Sequence, residues 1–424
     1  MRAAVHRLTI FAIIALLFTT TNMMNSKGSI VHASAKVTIM LDGYPLPFPA
    51  EPVIIKGNTM VPFRAIAEAI GVQVQYNNKT KRITAIKQDE LGSKRQVELQ
   101  LGNSKAIVDG ETHTLSVAPR TVNGHTLIPL SFFSRQFGAG VSWDGQTKTV
   151  TITSPKKSMY IKAYYALSSF SQRHHIPALD SVAFGWSRID REGNFTSEGK
   201  EYKWPEPAGE LTPESIIRDA AAAGTTPYLM VYATDGKGEL TKIIESAELR
   251  KKTIEGIIGL ALQKGFQGVH LDFEGLGLTG DKQKVREQFN EYVSMMSKQA
   301  KDAGLKLSLA LHPPNSVYQG YDYRTLGVLA DELVIMAYAY EDETRPEPMD
   351  KVDEAIRLAL KDVDKSKLVL GISLWSETAQ SVNQKIGLAK RYDLKGISFW
   401  RLGLMHDAVM NEIQKSIVFD YPVP

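Results

Sequence analysis

Gly265-Phe266-Gln267-Gly268-Val269-His270-Leu271-Asp272-Phe273-Glu274 has the pattern of a short buried strand whose polar residues fall on alternate positions. Because side chains alternate between the two faces of a strand, His270, Asp272 and Glu274 are predicted to share one face. The apolar residues between them are predicted to pack behind that face. An unpaired buried charge costs several kcal/mol, so packing alone does not explain two neighbouring carboxylates. The pair Asp272 and Glu274 is therefore a candidate active site.

This strand belongs to a pattern in which apolar runs alternate with amphipathic helical stretches from residue 159 to residue 424. Such alternation is typical of repeated β-α units that build a parallel sheet. The predicted strands are Tyr160–Leu167, Ser181–Trp186, Pro227–Tyr232, Gly268–Glu274, Lys306–Leu311, Glu332–Tyr338, Leu368–Leu374 and Gly396–Trp400. The predicted helices include Pro213–Ala223, Ala247–Lys264, Asp281–Ala303, Lys351–Leu360 and Ser381–Lys390.

Eight strands within 266 residues predict an α/β fold of the (β/α)8 TIM-barrel type for this region. A doubly wound sheet is the alternative. That fold usually carries a glycine-rich phosphate-binding turn after its first strand, and the segment Ala166-Leu167-Ser168-Ser169 is not such a turn.

Residues 37 to 152 contain an internal repeat with a constant offset of 67 residues. The matching landmarks are Asp42-Gly43 with Asp109-Gly110, Gly57 with Gly124, Pro62 with Pro129, Gly71 with Gly138, Val74 with Val141, Tyr76 with Trp143, and Thr80-Lys81 with Thr147-Lys148. Each copy predicts a strand, a glycine turn, a short helix (63 to 70 or 130 to 137) and a hairpin. The region is therefore predicted to be a small α+β module built twice.

Domain boundaries follow from these patterns. The polar, proline-containing segment 154–158 predicts a linker between the duplicated module, 36–153, and the barrel, 159–424. Residues 1–35 have the features of a secretory signal peptide, with an apolar run at Leu8–Phe18 and the small-residue pattern Ala33-Ser34-Ala35. An uncleaved membrane anchor is the alternative. We expect a secreted or cell-wall-associated protein with no integral membrane segment after signal cleavage.

Composition excludes several classes of function. Fifty basic and 46 acidic side chains give a net charge of only +4 without a long basic run, so nucleic acid is not expected as a partner. The chain has no cysteine, which excludes disulfides, thiolate metal ligands and a cysteine nucleophile. No phosphate-binding loop, His-x-x-x-His motif or aspartate-rich calcium loop is present, so neither a metal nor another cofactor is predicted.

Aromatic residues cluster at the predicted carboxyl ends of the barrel strands, where the active site of a TIM barrel forms. An acidic pair surrounded by aromatic rings suits a pyranose, because the apolar faces of a sugar stack on rings while an acid protonates the glycosidic oxygen. The candidate substrate-binding residues are His270, Trp186, Tyr232, Met336, Tyr340, Trp375 and Trp400.

Three motifs of the barrel region resemble those of family 18 glycoside hydrolases, the chitinases and related N-acetylglucosaminidases. Gln267 to Glu274 resembles the DGxDxDxE signature, Met336-Ala337-Tyr338 resembles the Met-x-Tyr motif, and Gly396-Ile397-Ser398-Phe399-Trp400 resembles the terminal Gly-x-x-x-Trp. The resemblance is greatest to the bacterial branch that acts on spore or cell-wall peptidoglycan.

The resemblance implies substrate-assisted catalysis, in which the acetamido oxygen of the substrate attacks its own anomeric carbon. It assigns Glu274 as the acid that protonates the leaving oxygen. Asp272 would accept a hydrogen bond from the acetamide N–H, Tyr338 would bind the acetamide oxygen, and Trp400 would form the floor of the sugar site. A raised pKa of Glu274, favoured by the charge on Asp272, would fit this role.

The sequence departs from the family pattern at Gln267, His270 and Ala339. The family has an aspartate in place of His270, which shares a proton with the next aspartate. His270 could instead donate a hydrogen bond to Asp272, or, if charged, hold Asp272 as a carboxylate and lower the pKa of Glu274. Ala339 replaces a second aspartate near the scissile bond. Three interpretations of the carboxylate pair stay open: an active hydrolase, a catalytically impaired sugar-binding barrel and a structural buried pair.

The duplicated module resembles the copper amine oxidase N-terminal-like stalk domain of secreted bacterial proteins. Met60-Val61-Pro62-Phe63-Arg64 and Leu127-Ile128-Pro129-Leu130 match that family's (V/L)P step. We call residues 36–153 the stalk. Because His113 and His125 have no histidine partner at ligand spacing, no copper site is predicted. The module is predicted to be a spacer or to bind a component of the cell envelope.

Together these patterns predict a secreted hydrolase that cleaves β-1,4 linkages next to N-acetylglucosamine in peptidoglycan or chitin-type glycans. The alternative is a lectin-like protein of the cell envelope that binds such a polysaccharide without turnover.

Overall fold

The computed structural model describes residues 36–88 and 92–419, so the predicted signal peptide lies outside the described residues. Within these ranges, no helix is both long enough and apolar enough to cross a lipid bilayer. The described residues form a large core in the barrel and a separate core in the stalk.

The stalk follows the internal repeat element by element. Its first copy contains β1 (Thr38–Leu41), β2 (Tyr44–Pro45), β3 (Val53–Ile55), β4 (Asn58–Pro62), α1 (Phe63–Ala69), β5 (Gln73–Asn77) and β6 (Arg82–Gln88). After β7 (Lys94–Gln100), the second copy contains β8 (Lys105–Val108), β9 (Glu111–Thr114), β10 (Arg120–Val122), β11 (His125–Pro129), α2 (Leu130–Gln136), β12 (Gly140–Asp144) and β13 (Thr149–Thr153). Each element of the second copy begins 67 residues after its counterpart, which confirms the predicted duplication.

The two copies exchange strands. In one sheet the hairpin β12–β13 of the second copy pairs with β1 and β2 of the first, and in another the hairpin β5–β6 pairs through β7 with β8 and β9. In the third sheet β4 lies antiparallel to β11, with Val61 opposite Ile128. These two residues are themselves 67 positions apart, so the copies are related by an approximate twofold axis through this pair.

The segment predicted to link the domains is short and packed against both. The backbone N–H of Ser154 donates to the Asp42 carboxylate at 2.7 Å. Lys157–Ser158 forms a short strand, β14, that pairs with residues 417–418 near the end of the barrel region. Arg391 of the barrel donates to the carbonyls of Leu41, Tyr44 and Pro45 of the stalk at 3.1–3.2 Å. The stalk is therefore held to the barrel by several polar contacts, most of them partly buried.

The barrel region contains the eight predicted strands among its described residues. These are β15 (Tyr160–Tyr165), β16 (Ser181–Ile189), β18 (Thr226–Thr234), β19 (Gly268–Glu274), β20 (Lys306–Leu311), β21 (Glu332–Ile335), β22 (Leu368–Ser373) and β23 (Gly396–Trp400). Each pairs in parallel with the next, and β15 pairs with both β16 and β23, which closes the barrel. The TIM-barrel prediction is confirmed. The small strands β17 (Phe195–Thr196) and β24 (Ile417–Val418) are additions to the predicted set.

Helices surround the barrel and bury their apolar faces on it. They are α3 (Pro213–Ala222), α4 (Glu239–Glu245), α5 (Ala247–Gln263), α6 (Lys282–Asp302), α7 (Tyr323–Leu329), α8 (Met349–Ala359), α9 (Ala379–Arg391) and α10 (Asp407–Ile413), with 3₁₀ helices at Leu167–Ala178, Lys365–Lys367 and Leu402–Leu404. Outward-facing residues such as Leu271 and Phe273 join the core beneath these helices. Inward-facing residues of the same strands are more polar, and they form the interior column below the candidate site.

Five predicted strands end at a different residue in the structure: the second and third strands are longer, ending at Ile189 and Thr234, and the seventh ends one residue earlier, at Ser373. The other two differences are at the first and sixth strands. The sixth strand ends at Ile335, so Met336 and Tyr338 lie in the segment that follows it. The first strand ends at Tyr165, and Leu167 begins a 3₁₀ helix. In the segment after the sixth strand, the Tyr338 N–H donates to the Met336 carbonyl at 2.8 Å. This tight turn replaces the sheet pairing.

Candidate active site

Asp272 and Glu274 lie side by side at the carboxyl end of β19, as the strand pattern predicted. They pair in register with Tyr232 and Thr234 of the neighbouring strand β18. Asp272 is buried, and Glu274 is partly exposed at the floor of a cleft of about 860 Å³. Gly268 lets the strands approach at the base of β19, because a Cβ atom there would lie 2.4 Å from the Tyr228 ring.

The two carboxyl groups are hydrogen-bonded to each other, and both have raised pKa values. Burial raises the pKa of Asp272 well above its usual range, and the nearby Glu274 acts in the same direction. Burial also raises the pKa of Glu274, to about 7, with a hydrogen bond from Asp272 opposing the shift and Glu343 adding to it. A carboxylic acid that is partly protonated at pH 7 is suited to general acid catalysis.

A buried polar column lies beneath Asp272 inside the barrel. Ser308 Oγ donates to Glu332 Oε1 at 2.8 Å and accepts from Lys162 Nζ at 3.0 Å. Lys162 and Lys395 form ion pairs with the same Glu332 carboxylate. His270 Nδ1 lies 2.7 Å from Ser308 Oγ. Since the serine hydroxyl proton goes to Glu332, the Nδ1 of His270 must be the donor.

Neither alternative offered for His270 is found: its Nε2 donates no hydrogen bond to Asp272, and burial disfavours a charged ring. Burial lowers the pKa of His270 well below its usual range, and the nearby Lys162 lowers it further. With Nδ1 as donor, Nε2 carries the lone pair, and it has no hydrogen-bond partner among the described residues. His270 is fully buried and does not line the cleft, so its predicted contact with substrate is not made. It lies two residues before Asp272 on the same face of β19.

Tyr338 and Met336 line the cleft beside the carboxylates. Gly371 on the neighbouring strand gives the Tyr338 ring its space, since a Cβ atom there would lie 3.0 Å from the ring and 2.8 Å from a backbone carbonyl. Ala339 has a φ of +58°, which is unusual for a residue with a side chain. The N–H groups of Ala339 and Tyr340 donate to the buried Glu347 carboxylate at 2.9 and 3.3 Å, which holds this turn.

Aromatic side chains form the walls of the cleft. Trp400 lies edge-on to Tyr164 with ring centroids 5.4 Å apart, and its peptide bond to Arg401 is cis. Trp375 is 64% exposed, which leaves its ring face available to a ligand. Tyr232 and Tyr340 line the same cleft, and the Tyr340 hydroxyl donates to Asn315 at 3.0 Å. These predicted residues are therefore brought together with the carboxylate pair.

Trp186 does not belong to this site, and the prediction that it binds substrate is wrong. Its side chain is fully buried in the outer core, where it packs against Tyr165, Phe184 and Trp204. Val182, Phe184 and Trp186 point outward from β16, while Ala183 packs with the interior residues. Trp186 lies near the carboxyl end of β16, but its side chain is on the outer face of the barrel.

Several residues of the cleft were not predicted. Tyr202 stacks on Tyr232 with centroids 4.0 Å apart, and His312 stacks on Tyr318 at the same distance. Tyr202 lies in an irregular segment with no periodic signal. His312 directly follows β20, so the rule that sites form at the carboxyl ends of barrel strands could have identified it. Burial lowers the pKa of His312 to about 4, so it is neutral at physiological pH.

Comparison with known proteins places the chain in a family. Residues 161–401 match the Glycosyl hydrolases family 18, and residues 40–152 match the Copper amine oxidase N-terminal domain. The first match covers more than half of the chain, and the chain belongs to glycosyl hydrolase family 18.

More distant likenesses agree with this fold. The chain is 24% identical over 235 residues to a cortical fragment-lytic enzyme of Bacillus subtilis, a match that covers 39% of this chain and 53% of that enzyme. The chain thus spans about half the length of this relative. A chitinase of Chromobacterium violaceum has a TM-score of 0.51 at 20% identity, covering 61% of this chain and 98% of that one. The spore cortex-lytic enzyme SleL of Bacillus cereus has a TM-score of 0.50 at 19% identity, covering 63% and 77%.

The stalk match raises the question of copper, and the described stalk residues do not fit that metal. His113 packs against the Phe132 ring at 6.3 Å between centroids. Within residues 36–88 and 92–153, no three histidine, aspartate or glutamate side chains are close enough together to hold an ion.

Proposed function

We propose that this protein is a glycoside hydrolase that cleaves β-1,4 linkages next to N-acetylglucosamine, with peptidoglycan as its substrate and chitin-type glycans as analogues. The observation that carries the proposal is the hydrogen-bonded pair of Asp272 and Glu274, with a Glu274 pKa of about 7, on the floor of an aromatic cleft. The choice of peptidoglycan rests on the names of the cortical fragment-lytic relatives.

In this proposal Glu274 donates its proton to the glycosidic oxygen as the bond to the anomeric carbon breaks. The acetamido oxygen of the substrate attacks that carbon and forms an oxazolinium ion with retention of configuration after hydrolysis. Before this, Asp272 transfers its proton to Glu274 along their hydrogen bond, and the resulting Asp272 carboxylate accepts a hydrogen bond from the acetamide N–H. Tyr338 binds the acetamide oxygen, and Trp400 stacks beneath the sugar ring.

The neutral His270 changes the support of Asp272 compared with the family pattern. A neutral imidazole places no positive charge below the pair, so it does not oppose protonation of Glu274. The lone pair on Nε2 can accept a hydrogen bond from a protonated Asp272 after a small rotation of the carboxyl group. In this way His270 supports the pair without a third carboxylate.

The test compares wild type with Glu274→Gln on purified peptidoglycan and on N-acetylglucosamine oligosaccharides, with release of reducing ends as the readout. We expect a loss of at least about a hundredfold in rate with retained glycan binding, because general acid catalysis contributes about 10²–10⁴-fold. NMR is used to identify the anomer that is released first, which shows whether configuration is retained.

A lectin-like function is the second candidate, and the absence of a carboxylate at Ala339 favours it. It predicts that wild type and Glu274→Gln bind glycan equally and that both release no reducing ends. Adding His270→Asp and Ala339→Asp would then restore the family's acidic residues, and a gain in rate would support impaired catalysis as the cause.

Secretion through residues 1–35 and binding of a cell-envelope component by the stalk are further parts of the proposal. Pull-down of the full protein by intact cell walls, with and without a saturating N-acetylglucosamine oligosaccharide that occupies the cleft, separates stalk binding from cleft binding. Binding that survives saturation of the cleft would support an envelope contact made outside it.

A further inference from the structure

Away from the cleft, three side chains that can ligate a metal converge on the segments that follow the first and eighth barrel strands. His174 and His175 lie in the 3₁₀ helix Leu167–Ala178, and Asp407 begins α10. One ring nitrogen of each histidine and a carboxylate oxygen of Asp407 lie within 4.8 Å of one another. The two histidine rings are 4.0 Å apart between centroids.

His175 provides a second and independent observation. Its side chain is only 1% exposed, and the Met405 backbone is the only hydrogen-bond partner that the described residues offer its ring. One partner leaves the other ring nitrogen unsatisfied, and a buried polar atom without a partner costs free energy, so this nitrogen calls for a ligand. A backbone contact of this kind is a common second partner for the ring of a metal-bound histidine.

His174 is already oriented as a ligand. Its Nδ1 lies 3.1 Å from the Ser171 carbonyl, and a carbonyl can only accept, so Nδ1 carries the proton. The lone pair is then on Nε2. Metal-binding histidines are commonly fixed in this way by a hydrogen bond to a backbone carbonyl.

We propose that His174, His175 and Asp407 bind a divalent transition-metal ion of the zinc type, with water completing the coordination. Two imidazoles and one carboxylate are a donor set that zinc prefers over calcium or magnesium, and three protein ligands with one water give a four-coordinate site. Tetrahedral ligands at about 2.1 Å from zinc lie about 3.4 Å apart, so closure requires movements of about 1 Å. His174 and Asp407 are exposed and can make them.

The ion would join two segments that support the cleft. Residues 401–407 connect Trp400 to Asp407, and both Arg401 and Leu404 of this segment line the cleft. The N–H of Gly403 already donates to Ser169 Oγ at 3.0 Å, which holds the same two segments together. The metal is therefore assigned a structural role outside the reaction itself, and its binding is independent of whether the protein turns over a glycan.

The test uses full-length protein without a histidine tag, freed of metal by chelation and titrated with zinc chloride alone by calorimetry. We expect one zinc ion per chain, and we expect Asp407→Asn and His174→Gln each to weaken binding about tenfold or more. Glu412→Gln, on the same helix, removes an equal charge outside the three ligands and should leave zinc affinity unchanged.

Because His175 is buried and its replacement can prevent folding, the test uses substitutions of the two exposed ligands, His174 and Asp407. Zinc should also raise the unfolding temperature of wild type and of Glu412→Gln, and this rise should be lost in Asp407→Asn. Absence of stoichiometric binding in wild type, or wild-type affinity in both ligand variants, would overturn the proposal.

Discussion

Raising the pH from 6 to 8 should lower kcat/KM for glycan hydrolysis about tenfold. Glu274 must be protonated to act as the acid, and its pKa is raised to about 7 by burial, with Glu343 adding to the shift. A group with this pKa is about nine-tenths protonated at pH 6 and about one-tenth protonated at pH 8. Since the acid form is the active one, the rate falls as the pH rises through 7.

A substitution that shifts this pKa provides a sharper form of the same prediction. Glu343→Gln removes a negative charge that favours the protonated form of Glu274, so the decline in rate should begin at a lower pH. Glu341→Gln is the matched control, because Glu341 lines the same cleft and is not among the causes of the shift.

The assay is the release of reducing ends from a soluble N-acetylglucosamine oligosaccharide at substrate concentrations well below KM, which reports kcat/KM of the free enzyme. Measurements at low and high salt show whether the contribution of the exposed Glu343 is screened. A rate that is constant or rises between pH 6 and 8, with intact folding, would refute Glu274 as the general acid.

Three further predictions concern binding and stability. Trp375→Ala should raise KM about fivefold with little change in kcat, because loss of one exposed stacking ring costs about 1 kcal/mol of binding free energy. By contrast, Trp186→Ala should leave KM unchanged and lower the free energy of unfolding by about 3 kcal/mol or more. Burial raises the pKa of Glu332, but the positive charges of Lys162 and Lys395 have the larger effect. They hold the pKa of this carboxyl well below its usual range. The ionised Glu332 carboxylate therefore stabilises the fold above about pH 4.5, and this stabilisation is lost as the pH falls. Denaturant titrations should show that Glu332→Gln lowers the free energy of unfolding by about 3 kcal/mol at pH 7 and by less in acid. Arg391→Ala should lower the unfolding free energy by about 2 kcal/mol or more, since it leaves stalk carbonyls without their donor, and an unchanged thermal unfolding curve would contradict this account.

The strands of the barrel could be predicted because each is a short apolar run bounded by polar residues. The position of the carboxylate pair followed from strand alternation alone, since Asp272 and Glu274 lie two residues apart on one strand. The repeat of the stalk could be predicted because its turn residues are fixed by backbone geometry. Asp42 and Asp109, for example, both have a positive φ.

Other features depend on contacts between distant segments, and no local pattern contains them. The tautomer of His270 is set by its hydrogen bond to Ser308, which is 38 residues away in sequence and belongs to another strand. Trp186 lies at the expected height in the barrel but on the outer face. Tyr202 reaches the cleft from an irregular segment, where neither periodicity nor capping residues give a signal.

The exchange of strands within the stalk has a consequence for how this module can be divided. Neither copy contains a complete sheet of its own, because β1 needs β13 and β6 reaches its other neighbours through β7. A fragment that ends near residue 102 would present open strand edges on both sides, and such edges favour association with other chains. We therefore expect the smallest independently folding piece of the stalk to comprise both halves of the duplication. Any gene fusion or truncation that retains only one half should yield aggregates or a domain-swapped dimer in place of a shorter spacer.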